Sequence, residues 1–274
     1  MLLSIITINR NNASGLQRTM NSVLQQNSDS YEYIVVDGAS TDGSVSVIEQ
    51  IASDFGAKLK WISEPDAGIY NAMNKGLGMA AGEYVQFLNS GDVLASTEVV
   101  GIMFSDHAAD VCPPIIYGNM IKAFPDGHTV QDKSFEGRVM TCFDFYSGTL
   151  NHSSAFIRRD LFGKYGLYDE SLKICSDWEW FLDAVVFGGE KPEYVDFDVT
   201  CFDMTGISEN KSLKELIRRE RQSVLEKRLS PAVLNDYSMY AEDIRMMRRI
   251  HRHKWAYSTV RFIERILFKL EKQC

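Results

Sequence analysis

The side chain of this sequence best placed to do chemistry is Asp92, which follows the apolar run Tyr84–Leu88. Only Gln86 interrupts that run, so we expect a buried strand, and Gly91 allows a tight turn directly before the carboxylate. A carboxylate at the exit of such a strand faces a crevice, and carboxylate oxygens are ligands that Mg²⁺ and Mn²⁺ prefer. The pattern therefore predicts a divalent-cation site at Asp92.

The elements that must position this carboxylate alternate between strand and helix patterns over the first 100 residues. Helices are expected to begin near Ser14, Gly43 and Gly68, between strands at Leu2–Ile8, Tyr31–Asp37, Lys58–Ile62 and Tyr84–Leu88. This alternation predicts a parallel, doubly wound sheet, whose ligands bind beyond the carboxyl ends of the strands. Four polar side chains fall at those ends: Asn9, Asp37, Glu64 and Asp92.

The pattern after residue 105 is less regular. The turn signal Phe124–Gly127 predicts a hairpin between two strands of a mixed sheet. The expected elements are the strands Ile115–Ala123, His128–Gln131, Ser153–Ile157 and Tyr194–Phe202, a helix over Ser176–Val186, and three helical stretches from about Ser212 to Lys272. We therefore expect an α/β fold with a Rossmann-like, mainly parallel sheet, helices on both faces, and a helical C-terminal extension.

Composition favours a globular enzyme over a nucleic-acid binder. The chain has 274 residues, 45% of them apolar, and a net charge of -8, whereas phosphate-backbone binding needs clustered Lys and Arg. Five cysteines without paired spacing predict neither a zinc site nor a disulfide framework, and fit a reducing cytoplasm. The sequence has no apolar run of about 18 residues, so no membrane-spanning helix is expected, and its first residues predict a buried strand rather than a signal peptide.

The C-terminal segment from Glu242 onward differs in charge from the rest of the chain. It contains nine Lys or Arg against four Asp or Glu, interleaved with apolar and aromatic residues in an amphipathic pattern. Two interpretations stay open. Such helices can lie in the headgroup region of an anionic membrane, or they can pack on the core with the basic face toward the acidic body of the protein.

Four sequence blocks, in this order, resemble family 2 glycosyltransferases with the GT-A fold, in particular bacterial polysaccharide-assembly enzymes. The blocks are Ser4–Asn9, Val35–Ser44, Glu64–Gly76 and Phe87–Asp92, and Ser176–Trp180 is similar to a later segment at the start of an acceptor-side helix. The resemblance implies a GT-A domain over residues 1–210, with a nucleotide-sugar-binding half at 1–104 and an acceptor-side half at 105–210. Residues 211–274 would then form the helical basic extension.

The resemblance also implies an activity. The protein would be an inverting glycosyltransferase that moves a sugar from a nucleotide-diphosphate donor, a UDP-sugar, to a hydroxyl of a glycan or lipid-linked glycan in cell-surface polysaccharide synthesis. Mg²⁺ or Mn²⁺ would be the cofactor, held by Asp92 with the donor diphosphate. The enzyme would work in the cytoplasm, at the inner face of the cytoplasmic membrane if its acceptor is lipid-linked, and it would not bind nucleic acid.

The residues that the resemblance places around the donor lie at strand ends and at the start of the third helix. Asp66 and Gly68 stand where the free N–H groups of a helix start favour a diphosphate. His152 and Trp178 are expected on the acceptor side, and Gly206–Ser208 is similar to a late loop of the family. The complete donor set is Thr7, Asn9, Asp37, Asp66, Gly68, Asn74, Ser90 and Gly91.

Asp177 is the residue expected to take the proton of the acceptor hydroxyl, since glycosyl transfer needs a positioned base. Ser176 and Glu179 have capping-box spacing, so Asp177 could instead be a carboxylate that stabilises the helix start. Asn89 and Gly91 stand where the family carries further acids beside Asp92. Two alternatives stay open: an inactive relative that only binds nucleotide-sugars, and a sugar nucleotidyltransferase.

Overall fold

The computed structural model describes residues 3–104, 112–204 and 211–271. The chain divides into two compact units, residues 1–222 and 223–274. The predicted loop at Gly206–Ser208 lies outside the described residues.

The amino-terminal part alternates strands with helices, as the apolar periodicity predicts. Asn12 caps the first helix, because its side chain accepts a hydrogen bond from the backbone N–H of Gly15. The elements are β1 Leu3–Asn9, α1 Ala13–Leu24, β2 Tyr31–Asp37, α2 Ser44–Phe55, β3 Leu59–Ser63, α3 Ile69–Met79 and β4 Tyr84–Phe87.

The second half of the same unit has shorter elements. Thr141 and Asp144 form a reciprocal capping box at the start of α5. The elements are β5 Val93–Leu94, α4 Val99–Met103, β6 Ile115–Ala123, β7 Thr129–Asp132, α5 Cys142–Ser147, β8 Ala155–Arg158, α6 Leu161–Tyr165, α7 Ser176–Phe181 and β9 Glu193–Asp203. The helix predicted over Ser176–Val186 is α-helical only to Phe181 and continues as a π-helical segment, Leu182–Phe187.

Three helices form the C-terminal part of the chain. They are α8 Lys214–Arg228, α9 Pro231–His251 and α10 Lys254–Glu271. Ser230 caps α9, and Pro231 occupies its first turn, where a missing N–H costs nothing. None of the helices in the described ranges is both long and apolar enough to cross a bilayer.

All the strands belong to one mixed sheet with the order β3-β2-β1-β4-β8-β6-β9-β5, and β7 pairs with β6. The first four strands are parallel to one another. Strand β8 then enters antiparallel to both β4 and β6, while β6 and β9 are parallel. Because β9 therefore runs in the same direction as β4, the residues that follow both strands come to one edge of the sheet.

The centre of the sheet is fully covered, which explains the continuous apolar runs in β1 and β2. Helix α3 packs closely on β1 because Gly76 has no side chain: a Cβ there would stand 2.5 Å from Cγ2 of Ile6. This close packing sets the position of the N-terminus of α3 beside the strand ends.

Candidate active site

A cavity of about 580 Å³ opens beyond the carboxyl ends of β1 and β4. Its walls come from the strand ends, the start of α3, the turn before β8, the start of α7 and the end of β9. The polar lining residues are Asn9, Arg10, Asn12, Asp66, Asn89, Ser90, Asp92, His152, Asp177 and Asp203, with Gly68 and Tyr70 beside them.

Asn9 lines this cavity, and Asp37 lies beneath it, fully buried. Asn9 Nδ2 donates to Asp37 Oδ1 at 2.7 Å, and the other carboxylate oxygen accepts from the Ser63 hydroxyl and the Ser40 N–H. Burial alone would raise the pKa of Asp37, but these hydrogen bonds outweigh it and lower the pKa. Asp37 therefore acts on the cavity wall through Asn9, which it orients.

Thr7 was predicted near the nucleotide, yet its side chain lies in the core. Its hydroxyl donates to the backbone oxygen of Leu88 at 2.7 Å and accepts from the Tyr33 hydroxyl at 2.9 Å. Both hydrogen-bonding directions are thus used inside the sheet layer, and Thr7 ties β1 to the segment that follows β4.

Asn74, also predicted on the donor side, instead holds α3 to a later segment. Its Nδ2 donates to the backbone oxygen of Tyr168 and to Oε1 of Glu170, both at 2.9 Å, and its Oδ1 accepts the N–H of Tyr168. All these partners lie in the segment before α7, and Asn74 does not line the first cavity.

Ser90 lines the cavity, whereas Gly91 shapes the turn that leads to Asp92. Gly91 has φ = 111°, a conformation that favours glycine, and its N–H donates to the Thr19 hydroxyl at 3.0 Å. Gly91 thus provides the backbone geometry that presents the next carboxylate.

Asp66 and Gly68 both line the cavity at the start of α3. Asp66 Oδ1 accepts the Gly68 N–H at 3.1 Å, and Arg10 Nη1 stands 3.9 Å from the same oxygen. The carboxylate lies against Gly38, where a Cβ would collide with Oδ2. One helix-start N–H predicted for a diphosphate is therefore used by Asp66 itself.

Asp92 is 5% exposed, and its Oδ1 accepts the backbone N–H of Asp203 at 3.0 Å. Burial raises the pKa of Asp92 to about 7. Sequence reasoning missed Asp203, which ends β9 and lines the same cavity. The rule that selects Asp92, an acid at the exit of a strand, also fits Asp203, but β9 was predicted to end one residue earlier.

The fit of these acids to a divalent cation can be judged from their chemistry. Within the described residues, no group of three His, Cys, Asp or Glu side chains is arranged to hold a metal. Mg²⁺ and related cations commonly bind through one or two carboxylates plus waters and substrate phosphates. Asp92 and Asp203 therefore fit a cation that binds together with a diphosphate, provided that Oδ2 of Asp203 gives up its present partner, Arg18 Nη2 at 3.1 Å. The charge of the cation would lower the raised pKa of Asp92.

Asp177 lies across the cavity from the strand ends, at the start of α7. Its Oδ1 accepts the Tyr70 hydroxyl at 2.7 Å, and its Oδ2 stands 3.0 Å from His152 Nδ1. His152 Nε2 is 3.2 Å from Nδ2 of Asn89. Asn89 thus belongs to a hydrogen-bonded chain that ends at Asp177.

The pKa values of the pair shift in opposite directions. Burial would raise the pKa of Asp177, but the hydrogen bond and charge of His152 outweigh it and lower the pKa. Burial would lower the pKa of His152, but Asp177 raises it above its usual value. The arrangement therefore favours an ionised Asp177 that accepts a hydrogen bond from the Nδ1–H of His152. Protonation of His152 at Nε2 requires the Asn89 amide to turn its oxygen, which is buried without a partner among the described residues, toward that nitrogen.

The capping-box alternative for this segment does not describe the geometry found. The Ser176 hydroxyl is buried without a hydrogen-bond partner among the described residues, and Cys175 occupies the N-cap position. The carboxylate oxygens of Asp177 bond to the side chains of Tyr70 and His152, and the carboxylate also stands in the first turn of α7, where the backbone N–H of Trp178 helps to lower its pKa. Tyr70, which sequence reasoning missed, lies 107 residues away, and no local pattern connects the two.

A second cavity of about 390 Å³ lies on the other side of Asp177 and His152, which line both cavities. Trp178 lines this second cavity and donates from Nε1 to the backbone oxygen of Phe145 at 2.9 Å. Trp180 packs elsewhere, stacked on Phe162. Only the first of the two tryptophans thus lines the second cavity.

The sequence of this chain is similar to those of known glycosyltransferases. The family model described as "Glycosyl transferase family 2" matches residues 4–166. A PGL/p-HBAD biosynthesis glycosyltransferase of Mycobacterium tuberculosis is 25% identical over 223 residues, which cover 80% of this chain and 83% of the relative. An uncharacterised glycosyltransferase of the same organism is 28% identical over 260 residues, covering 90% and 95%.

Two solved structures share the fold. TarS 1–349 of S. aureus in complex with UDP-GlcNAc has a TM-score of 0.62 at 19% identity, over 85% of this chain and 69% of that one. The mannosyltransferase PcManGT of Pyrobaculum calidifontis, in complex with GDP-Man and Mn²⁺, has a TM-score of 0.57 at 18% identity, over 73% and 56%.

Proposed function

Since this chain belongs to glycosyl transferase family 2 and is a glycosyltransferase, we propose that it inverts the anomeric centre of a UDP-sugar and transfers the sugar to a glycan or lipid-linked glycan hydroxyl. The observation that carries this proposal is that Asp177 lines both cavities. One carboxylate between two cavities can contact an acceptor hydroxyl on one side and face the donor sugar on the other. The role in cell-surface polysaccharide synthesis is part of the proposal.

The first cavity receives the donor. Asn9, oriented by Asp37, offers an amide to the nucleoside, and Gly68 lies at the N-terminus of α3, whose positive dipole end favours the diphosphate. A volume of about 580 Å³ lies within the range of small-molecule sites. The UDP-GlcNAc complex of TarS, which shares the fold, supports the choice of a uridine nucleotide.

The second cavity receives the acceptor, whose hydroxyl donates its proton to Asp177. As the acceptor oxygen bonds to the anomeric carbon, the bond from that carbon to the diphosphate oxygen breaks and the nucleotide diphosphate leaves. One oxygen of Asp177 must exchange its present hydrogen bond, from Tyr70 or His152, for that of the acceptor. His152 keeps the carboxylate ionised before the transfer.

A divalent cation, Mg²⁺ or Mn²⁺, would neutralise charge on the departing diphosphate. Asp92 and Asp203 are the residues that would hold it. The Mn²⁺ named in the PcManGT complex supports the choice of a divalent cation.

The experiment for the donor class is a calorimetric panel of UDP, GDP, CDP and dTDP, each with Mn²⁺ and with EDTA, followed by assays of UDP release from UDP-sugars. Metal-dependent UDP binding together with UDP release is the expected result. Preferential GDP binding would overturn the choice of donor. Nucleotide binding without sugar release or transfer would favour the inactive relative.

The membrane part of the proposal rests on α10. Trp255, Phe262, Ile263 and Ile266 share one face at helical spacing, and Trp255 and Phe262 are 76% and 64% exposed. Arg261, which pairs with Glu264, lies on the other side of the helix, and Arg265 lies between it and the apolar face. An exposed apolar stripe with a basic face matches a helix that lies in the headgroup region of an anionic bilayer.

Vesicle sedimentation tests this docking. Phosphatidylglycerol vesicles should retain the protein more strongly than phosphatidylcholine vesicles, and Phe262→Glu should abolish retention. Leu167→Glu is the matched control, because Leu167 is similarly exposed, at 58%, but lies outside α10. Equal retention of the wild type and Phe262→Glu would overturn the docking surface and leave the catalytic proposal intact.

A further inference from the structure

The second cavity contains an arginine without an acidic partner. Arg221, on α8, lines the cavity, and its Nε is buried without a hydrogen-bond acceptor among the described residues. Its Nη1 makes one long hydrogen bond, 3.3 Å to the backbone oxygen of Gly148. The guanidinium stacks over the Trp178 ring at 5.0 Å from the ring centroid. This side chain is thus held in one plane but only partly satisfied.

The charged neighbours of Arg221 have other partners. Glu220 uses both carboxylate oxygens on the backbone N–H groups of residues 173–175, at 2.7 to 3.1 Å. Of the other basic groups of the cavity, Lys122 pairs with Asp132 at 2.7 Å and His152 with Asp177 at 3.0 Å. Within the described residues, Arg221 is therefore the basic group of this cavity that has no carboxylate ion pair.

A partly buried guanidinium with an unsatisfied N–H is unfavourable unless a ligand completes its hydrogen bonds. The planar fork of arginine matches carboxylate and phosphate oxygens in a bidentate manner, and stacking on an aromatic ring fixes the direction of the fork. The arrangement of Arg221 on Trp178 is thus suited to an anionic group entering the cavity.

We propose that Arg221 binds an anionic group, a carboxylate or a phosphate, carried by the acceptor, so that the acceptor is an acidic glycan. This inference rests on the proposed function, because it assumes that the acceptor reaches Asp177 through the second cavity. Arg221 acts here as a specificity-determining residue. It places the acceptor by its charge while Asp177 contacts the hydroxyl.

The test is an NMR titration of the full chain with three sugars, in the presence of UDP and Mn²⁺ to fill the first cavity. Methyl glucuronide carries a carboxylate, glucose 6-phosphate carries a phosphate, and methyl glucoside is neutral. We expect at least one anionic sugar to bind about tenfold more tightly than the neutral one, a difference of about 1.4 kcal/mol. The stronger of the two anionic sugars identifies the kind of acid.

Arg221→Gln should abolish this preference and leave the affinity for methyl glucoside unchanged. The matched control is Arg218→Gln, one turn earlier on α8, where Arg218 is exposed and pairs with Glu215. Arg221→Lys should also lose most of the preference, because it keeps the charge but not the planar fork, and it serves if Arg221→Gln does not fold.

Equal affinities of the wild type for the three sugars would overturn the inference. So would a preference that survives in both Arg221 variants, or one that is lost equally in Arg218→Gln. UDP binding is measured separately on each protein. Failure of the wild type to bind UDP or any other nucleotide would count against the proposed function, whereas normal UDP binding without an anionic preference would count against Arg221 alone.

Discussion

Oδ2 of Asp177 and Nδ1 of His152 lie 3.0 Å apart, and both side chains line the donor-side cavity and the second cavity behind it. The two residues are on different elements, and each compensates the cost of burying the other's charge. Asn89 fixes the far nitrogen of the imidazole, and Tyr70 fixes the second carboxylate oxygen. The carboxylate is therefore held in one orientation before any substrate binds.

Asp177→Asn should lower the turnover number by a factor of about 10² to 10⁴, the usual contribution of a positioned base. UDP affinity should stay close to that of the wild type, since the amide keeps the shape of the side chain. UDP release from the donor and calorimetry measure the two effects. Asp54→Asn, an exposed carboxylate on α2, is the control and should be neutral. Wild-type turnover by Asp177→Asn would mean that the base lies elsewhere.

His152 should titrate above its ordinary pKa of 6.5 in the wild type, and lower in Asp177→Asn, where burial acts without the compensating charge. NMR of the imidazole resonances against pH measures both values. Because the folded pKa is raised, the protonated imidazole stabilises the fold below about pH 6.5, and this contribution is lost as the pH rises through the folded pKa.

The same shift predicts how stability depends on pH. The difference in unfolding free energy between the wild type and Asp177→Asn should be larger at pH 6 than at pH 9, by denaturant titration. Asp54→Asn should show no such pH dependence. A His152 titration that is identical in the wild type and Asp177→Asn would show that Asp177 does not raise the pKa of His152.

Asp92→Asn should weaken UDP binding in Mn²⁺ and leave binding in EDTA unchanged, because the Asp92 carboxylate contributes to donor binding only as a ligand of the metal. Calorimetry at pH 8 suits this comparison, since the pKa of about 7 leaves Asp92 largely ionised there. Asp29→Asn, at an exposed ion pair with Lys58, is the control. Equal weakening with and without metal would count against a cation at Asp92.

Gly38→Ala should weaken UDP binding by about tenfold, or about 1.4 kcal/mol, because the new Cβ would collide with Oδ2 of Asp66 and displace that carboxylate from the cavity wall. Gly78→Ala is the matched control: a Cβ there meets no atom within 4 Å, and alanine favours the helix. Unchanged UDP affinity in Gly38→Ala would show that the position of Asp66 does not matter to the donor.

Local patterns predict much of this fold and part of this site. The strands β1, β2 and β4 follow from mainly apolar runs, and Asp92 and Asn9 follow from the rule that strand ends carry ligand contacts. Thr7 shows the limit of that rule. Whether its hydroxyl turns toward the cavity or into the sheet layer depends on Tyr33, a partner that periodicity does not identify.

The residues that sequence reasoning missed come from contacts distant in the chain. Tyr70 meets Asp177 because α3 packs on β1 beside the start of α7, and Arg221 reaches the second cavity from α8. Asp203 joins the first cavity only because β9 runs parallel to β6. Such pairings depend on strand order and packing, which a single sequence with no alignment does not specify.

The hydrogen bond from the Asp203 N–H to the Asp92 carboxylate joins residues 111 positions apart, with β8 and β6 standing between β4 and β9 in the sheet. Contacts of such sequence separation form late in folding, because loop closure costs entropy before the contact repays it. During synthesis, Asp92 must wait for β9 to leave the ribosome before it receives this bond. We therefore expect the donor cavity to be the last part of the sheet edge to gain protection in pulsed hydrogen exchange during refolding.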